Sequence, residues 1–246
     1  MASMAAGRRL SRFTLVLMAV AAALAVSLGG WLRFRERTAE LVRRDPDQLL
    51  ADPRMVRFAT RIAQPIYQQK CAGCHGRGFQ GDPTRGVPDL AMNDWLYGNN
   101  AVDVEHTILY GIRSGHPKAR NLADMPALVR TGQLTPADAW GAVEYLQSLA
   151  GAPYDDAASL RGRSIYYGKG NCYDCHANDA RGITAYGTPA LTGPVYLYGG
   201  DRQTLYHSIL NGRHGECPAW VNVLSPAQIR ALALYLVTAP RASVAR

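Results

Sequence analysis

No methionine follows Met125 in a chain of 246 residues; all six lie at or before that position. A second half without methionine has no thioether of its own to offer a metal. No stretch of useful length alternates apolar and polar residues, which argues against β-strands and any fold built on a sheet. Nor does the body contain a dense Lys/Arg run with interleaved aromatics, so the electrostatic footprint of a nucleic-acid-binding protein is missing. The formal net charge of +8 is largely local: residues 1–45 hold eight arginines against Glu36, Glu40 and Asp45, leaving +5 there and +3 in all the rest. Charged residues make up only 19% against 48% apolar, a balance that excludes a disordered chain.

An apolar, uncharged run from Phe13 to Leu32 is long enough to span a bilayer as a helix. Arg8, Arg9 and Arg12 precede it and Arg33, Arg35 and Arg37 follow it, so charge bias alone orients it poorly. A retained anchor is the favoured reading, because the run is long and basic residues follow it. The competing reading is a cleaved signal peptide with a poor small-residue site at Ala25-Val26-Ser27. Both export the rest of the chain.

Five cysteines are present, four of them in two close pairs. Cys71-Ala72-Gly73-Cys74-His75 and Cys172-Tyr173-Asp174-Cys175-His176 are both C-x-x-C-H motifs. Two thiols three residues apart at a helix end can bond to the two vinyl-derived positions on one edge of a haem, and the following histidine then meets the iron. A zinc or redox pair is the ordinary alternative for a lone C-x-x-C, but two complete copies in an exported chain point to two covalently bound haem c groups.

The motifs belong to a longer repeat. Trp95-Leu96-Tyr97-Gly98 matches Tyr196-Leu197-Tyr198-Gly199, and His106-Thr107-Ile108-Leu109 matches His207-Ser208-Ile209-Leu210; Leu134-Thr135-Pro136-Ala137 matches Leu224-Ser225-Pro226-Ala227. The body is therefore two copies of one module, the second shorter in the middle. Thr135 and Ser225 are N-cap candidates with proline next, and Ile229, Leu232, Ala233 and Leu236 follow helical spacing. A second helix is expected to lead into each cysteine pair, through Ile66-Tyr67 and Ile165-Tyr166. Modules this small have thin cores, and a haem would supply the missing apolar mass.

For the iron's far side, Met125 is the expected ligand of the first haem opposite His75, with His116 in reserve and a core methionine as the ordinary alternative. In the second module Cys217-Pro218-Ala219 stands where the first has Met125-Pro126-Ala127. Opposite His176 the options are a Cys217 thiolate, His214, an open site, or a methionine borrowed from elsewhere, with His207 a weaker candidate; Cys217 is favoured. A thiolate favours ferric iron and lowers a haem's potential relative to a thioether. Arg113 and Arg213 are candidates to pair with haem propionates, or are surface arginines. The carbonyls of Pro88 and Pro189 are candidates to hold the imidazoles of His75 and His176.

These segments resemble the dihaem cytochrome c subunit (subunit III) of cbb3-type cytochrome c oxidases. The resemblance runs from the anchor to about Pro240 and is carried by Gly86-Val87-Pro88-Asp89-Leu90, Asp94 to Gly98, Gly111 to Pro117, Tyr196 to Gly200, and Asn211 to Gly215 before Pro218-Ala219-Trp220. It implies an all-α chain: an N-terminal transmembrane helix and two tandem class I cytochrome c domains. The expected order is a cytoplasmic segment 1–12, anchor 13–32, linker 33–53, first domain 54–150, linker 151–158, second domain 159–240 and tail 241–246.

The resemblance further implies a bacterial inner-membrane subunit with periplasmic haem domains. It would take electrons from a soluble c-type cytochrome or the respiratory chain and pass them, through a second membrane cytochrome c subunit, to a haem–copper catalytic subunit. It would not itself be an enzyme. Cys217 replaces the family's second methionine, and Ala177 follows the second motif where the family usually has glycine. Two other functions compete: a freestanding membrane-anchored dihaem carrier for another oxidoreductase, and a dihaem enzyme using the atypical second haem.

Overall fold

The computed structural model describes residues 12–92, 95–193 and 196–238. The N-terminal segment up to residue 11, Asp94 and the 241–246 tail lie outside the described residues. Among the described residues ten α-helices carry the fold: α1 Arg12–Arg43, α2 Pro46–Leu49, α3 Pro53–Lys70, α4 Ala72–His75, α5 Ala101–Tyr110, α6 Pro136–Leu149, α7 Asp156–Tyr167, α8 Tyr173–His176, α9 Arg202–Asn211 and α10 Pro226–Thr238. Among the described residues β pairing is confined to isolated bridges.

Local chemistry sets the helix starts. Thr135 Oγ1 accepts from Asp138 N at 3.1 Å while the Asp138 carboxylate accepts from Thr135 N at 2.8 Å, a reciprocal cap with Pro136 at the first position. Ser225 and Gln228 repeat it: Gln228 Oε1 accepts from Ser225 N at 2.8 Å and Gln228 N donates to Ser225 Oγ at 3.4 Å. Asp52 caps α3, accepting from Arg54 N at 3.0 Å.

Helix α1 exposes its apolar residues and is long and apolar enough to cross a membrane, by length and composition. Its last turns are different. Leu41 is fully buried in a core with Leu49, Met55, Phe58 and Tyr67, and Phe34 meets Phe58 edge-on at 5.6 Å between ring centroids. Arg230 of α10 donates to the carbonyls of Leu41 (3.2 Å) and Arg44 (2.6 Å) and pairs with Glu105 of α5 at 2.7 Å. Anchor and globular body are thus continuous through packed side chains and a part-buried ion pair.

In space the two repeats exchange their last helices. α10, at the chain's end, packs on α3 and α5 of the first repeat; α6, at the end of the first repeat, packs on α7 and α9 of the second. Two cores result. One joins Ala59, Ala63 and Tyr67 to Ala231, Leu232 and Tyr235; the other joins Ala139, Val143 and Leu146 to Ile165, Leu205 and Ile209. The contiguous domains 54–150 and 159–240 are therefore not the packing units. The reason is the connection from α6 to α7: only six residues, 150–155, separate them. A link that short makes consecutive helices antiparallel neighbours. Where they cross, the backbones of Gly141 and Gly162 come so close that a Cβ on Gly162 would strike the Gly141 carbonyl. Small residues admit this approach; buried Ala63 and Ala231 stand at the matching places in α3 and α10.

Candidate haem sites

Each cysteine pair sits where a long helix breaks. α3 ends at Cys71, and the single turn α4 presents Cys74 and His75; α7 leads through Gly168–Asn171 to Cys172 and the turn α8 with Cys175 and His176. The turn's exit is held by a tyrosine from the last turn of the preceding helix. Tyr67 OH donates to the Gly76 carbonyl at 2.7 Å and Tyr166 OH to the Ala177 carbonyl at 2.6 Å. Gly76 has φ 77°, ψ 154° and Ala177 φ 64°, ψ 165°, a region that essentially only glycine occupies without strain.

Both histidines are prepared as ligands. His75 Nδ1 lies 3.3 Å from the Pro88 carbonyl and His176 Nδ1 3.0 Å from the Pro189 carbonyl. A carbonyl only accepts, so Nδ1 carries the proton and Nε2 keeps a free lone pair. Burial, the largest cause in each case, holds both imidazoles below their ordinary pKa and so neutral.

A cavity of about 450 Å³ opens beside the second motif, lined by Cys172, Cys175 and His176 and by apolar side chains including Leu191, Leu205 and Ile209. Met125 lines this same cavity, together with Pro126 and Leu128. The sequence sets Met125 as the expected partner of His75; the fold instead places it in the lining of the chamber beside His176. Cys217 is displaced in the opposite sense. Its thiol lies near enough to Cys71 and Cys74 for their charges to couple, and the segment after it reaches Trp220, which packs against the same core as Cys71, Ala72 and Leu90. Burial pushes the Cys217 thiol up to about 11. The exchange of helices causes both displacements, because each loop follows the helix into which it runs.

Backbone bridges fix the two loops. Ile112 and Cys217 exchange N–H···O bonds, each 2.9 Å, and Met125 and Arg213 do the same at 3.2 and 3.0 Å. Gly111 and Gly212 precede Ile112 and Arg213 with φ 74° and 71°, and a Cβ on either would strike the carbonyl of Cys217 or Met125 respectively. Sequence reasoning missed this reciprocity. It also missed that Tyr198 lies over Gly86 while Tyr97 lies over Gly187, so each repeat's tyrosine reaches the other's histidine-side loop. The matched Tyr-Gly pairs were visible; their crossing was not.

The remaining candidates divide. Arg113 and Arg213 both line the Met125 cavity. Arg113 donates to the carbonyls of Gly215 (2.5 Å) and Ala123 (2.8 Å), and Arg213 lies 4.1 Å over the Tyr198 ring. His214 is turned away, held between Asp124 (2.9 Å) and Glu216 (3.1 Å), which raise its pKa. His116 stacks on Tyr110 at 4.8 Å, and His207 is exposed on α9. The donor sets, with neutral imidazoles fixed at Nδ1, thiol pairs and an apolar chamber, fit covalently bound haem.

Comparison with known proteins agrees. Residues 61–150 match the family model for cytochrome c and residues 157–236 that for cytochrome c oxidase, cbb3-type, subunit III. The chain is 40% identical over 189 residues to the cbb3-type cytochrome c oxidase subunit FixP of a Bradyrhizobium species, covering 75% of this chain and 62% of that one. It is 33% identical to the subunit CcoP of Cereibacter sphaeroides (80% of this chain, 67% of that one) and 35% identical to CcoP of Rhodobacter capsulatus (80% and 68%). It thus spans about two thirds of these relatives' length. Two cytochrome c domains of this kind carry two covalently bound haem c groups.

Proposed function

Because the chain belongs to the subunit III family of cbb3-type cytochrome c oxidases, we propose that it serves as the dihaem electron-transfer subunit of such an oxidase. It takes electrons from a soluble c-type cytochrome or the respiratory chain and delivers them, by way of a second membrane cytochrome c subunit, to the haem–copper subunit that reduces oxygen. The haem domains face the periplasm, and the anchor holds them to the inner membrane. When bound, each haem supplies a one-electron ferric/ferrous couple.

The chain's own residues set the character of each centre. Cys172, Cys175 and His176 would hold one haem, and Met125 would offer its thioether to the same chamber. Cys71, Cys74 and His75 would hold the other, and Cys217 would offer it a thiolate. Pro88 and Pro189 orient the imidazoles, and the apolar walls exclude water from the chamber. Arg113 and Arg213 offer positive charge to the propionates of the haem in the Met125 cavity. The observation that carries this reading is Met125 lining the chamber of Cys172, Cys175 and His176. With Cys217 beside Cys71 and Cys74, it makes the two centres chemically unequal.

Copurification tests the function. The detergent-solubilised protein is expected to migrate with haem b and copper, and migration alone would refute the oxidase reading. Low-temperature EPR tests the ligands. The oxidised protein is expected to give a thiolate-type low-spin signal that Cys217→Met abolishes; an unchanged spectrum and unchanged potentials would remove Cys217 from the iron.

A further inference from the structure

The arginines around the foot of the anchor have no part in the haem sites. Arg33, Arg35 and Arg37 follow the apolar run directly and are exposed on α1. Arg54, Arg57 and Arg61 are exposed on α3. Spacings of three and four residues set those three on one helix face, flanking Phe58. Phe58 in turn packs against Phe34, two residues past the end of the apolar run. At 1.5 Å of rise per residue, Phe34 stands about 3 Å beyond Leu32. The α3 arginines lie within about one helix turn of Phe58, so their side chains reach the same layer as those of α1. Arg35 lies 4.8 Å over the Trp31 ring, an aromatic placement suited to the boundary between hydrocarbon and headgroups.

None of the six makes an ion pair among the described residues, although acids are close by. Glu40 and Asp52 are taken by Arg44 at 2.8 and 3.4 Å, with Asp52 also capping α3. Asp45 caps α2, and Asp47 accepts from Ala101 N at 2.8 Å. Glu36 and the backbone-bonded carboxylates of Asp45 and Asp47 leave the six arginines in excess. Glu40, Asp45, Asp47 and Asp52 are thus engaged as caps or ion-pair partners, whereas the six exposed arginines have no ion-pair partner among the described residues. The arginine fork suits phosphate oxygens. The level of the patch, at the end of the membrane span, favours a lipid headgroup over a protein docking farther out. The rigid join of α1 to α3 and α10 through Leu41, Phe58 and Arg230 means that holding α3 on the surface fixes the whole haem unit.

We propose that Arg33, Arg35 and Arg37 of α1 with Arg54, Arg57 and Arg61 of α3 form one collar that binds anionic phospholipid headgroups and so sets how the haem unit lies on the bilayer. The proposal rests on the anchor being retained in the membrane.

Native mass spectrometry of the full-length haem-loaded protein in mild detergent, given equimolar phosphatidylglycerol and phosphatidylcholine, tests it. The wild type is expected to retain phosphatidylglycerol preferentially. The R54Q/R57Q/R61Q variant is expected to lose that preference by at least about fivefold, the effect of one arginine near a bilayer surface. Its haem spectrum should be unchanged, and Arg161→Gln on α7 should keep the preference. Equal retention of the two lipids by the wild type, or an undiminished preference in the triple variant, overturns the collar. If the wild type shows no lipid preference and the triple variant sheds a protein subunit, the face serves an acidic protein and the lipid assignment falls. A chain that stays soluble without detergent would refute the anchor, a failure distinct from these.

Discussion

Replacing Ala177 by glycine should make the protein more stable, against the usual expectation that glycine weakens a chain. Ala177 ends the turn that carries Cys175 and His176, at φ 64° and ψ 165°. A side chain held in this region costs about 1–3 kcal/mol. The first repeat has Gly76 at the equivalent place, with φ 77° and ψ 154°, and so avoids the cost. Glycine at 177 also widens the unfolded ensemble, which removes roughly 0.4–1 kcal/mol of the gain. The net is a stabilisation of about 1 kcal/mol. For a protein of this size that raises Tm by roughly 2–4 °C. The strain persists because Tyr166 OH holds the Ala177 carbonyl at 2.6 Å. The assay is thermal denaturation of wild type, Ala177→Gly and Gly76→Ala, followed by near-UV circular dichroism and the haem absorbance. Gly76→Ala should fall by a similar amount, since it gains the strain and its Cβ must also displace the Gln80 side chain. An Ala177→Gly protein that melts at or below wild type would refute the reasoning.

Three further outcomes follow from the exchange of helices. Met125→Ala, made in a C71S/C74S background that attaches only the second haem, should lower the remaining potential; no change there would place Met125 away from His176. Cys217→Met in the complementary C172S/C175S background should raise the potential of the remaining first haem by a substantial part of the about 0.8 V that axial ligands span, read by redox titration. Arg230→Met should destabilise by about 3–5 kcal/mol in urea unfolding, because Glu105 is only 15% exposed and would be left without its partner; an R230M/E105M double variant should recover part of that loss, and equal stabilities for all three proteins would remove the pair from any structural role.

Much of the local chemistry was legible in the sequence. The two C-x-x-C-H motifs, the prolines thirteen residues beyond each histidine, the capped starts of α6 and α10 and the apolar run of α1 each depend on residues within a turn or two, or on a repeat that makes its own comparison. The loss of methionine at 217 could be read by alignment of the repeats alone. Which iron that loss affects could not. Repeats say which segments are alike; they do not say whether a segment packs on its own copy or on the other one. That choice was made by a six-residue connection that lays α6 against α7, by the close approach at Gly141 and Gly162, and by Arg230 and the core that draw α10 back to α3, α5 and the anchor. Two haem sites and one missing thioether are written in the order of residues. Tertiary packing decided that the chain crosses over, so that Met125 lines the chamber beside the second motif while Cys217 lies on the side of the first, because packing joins surfaces that fit rather than segments that are adjacent.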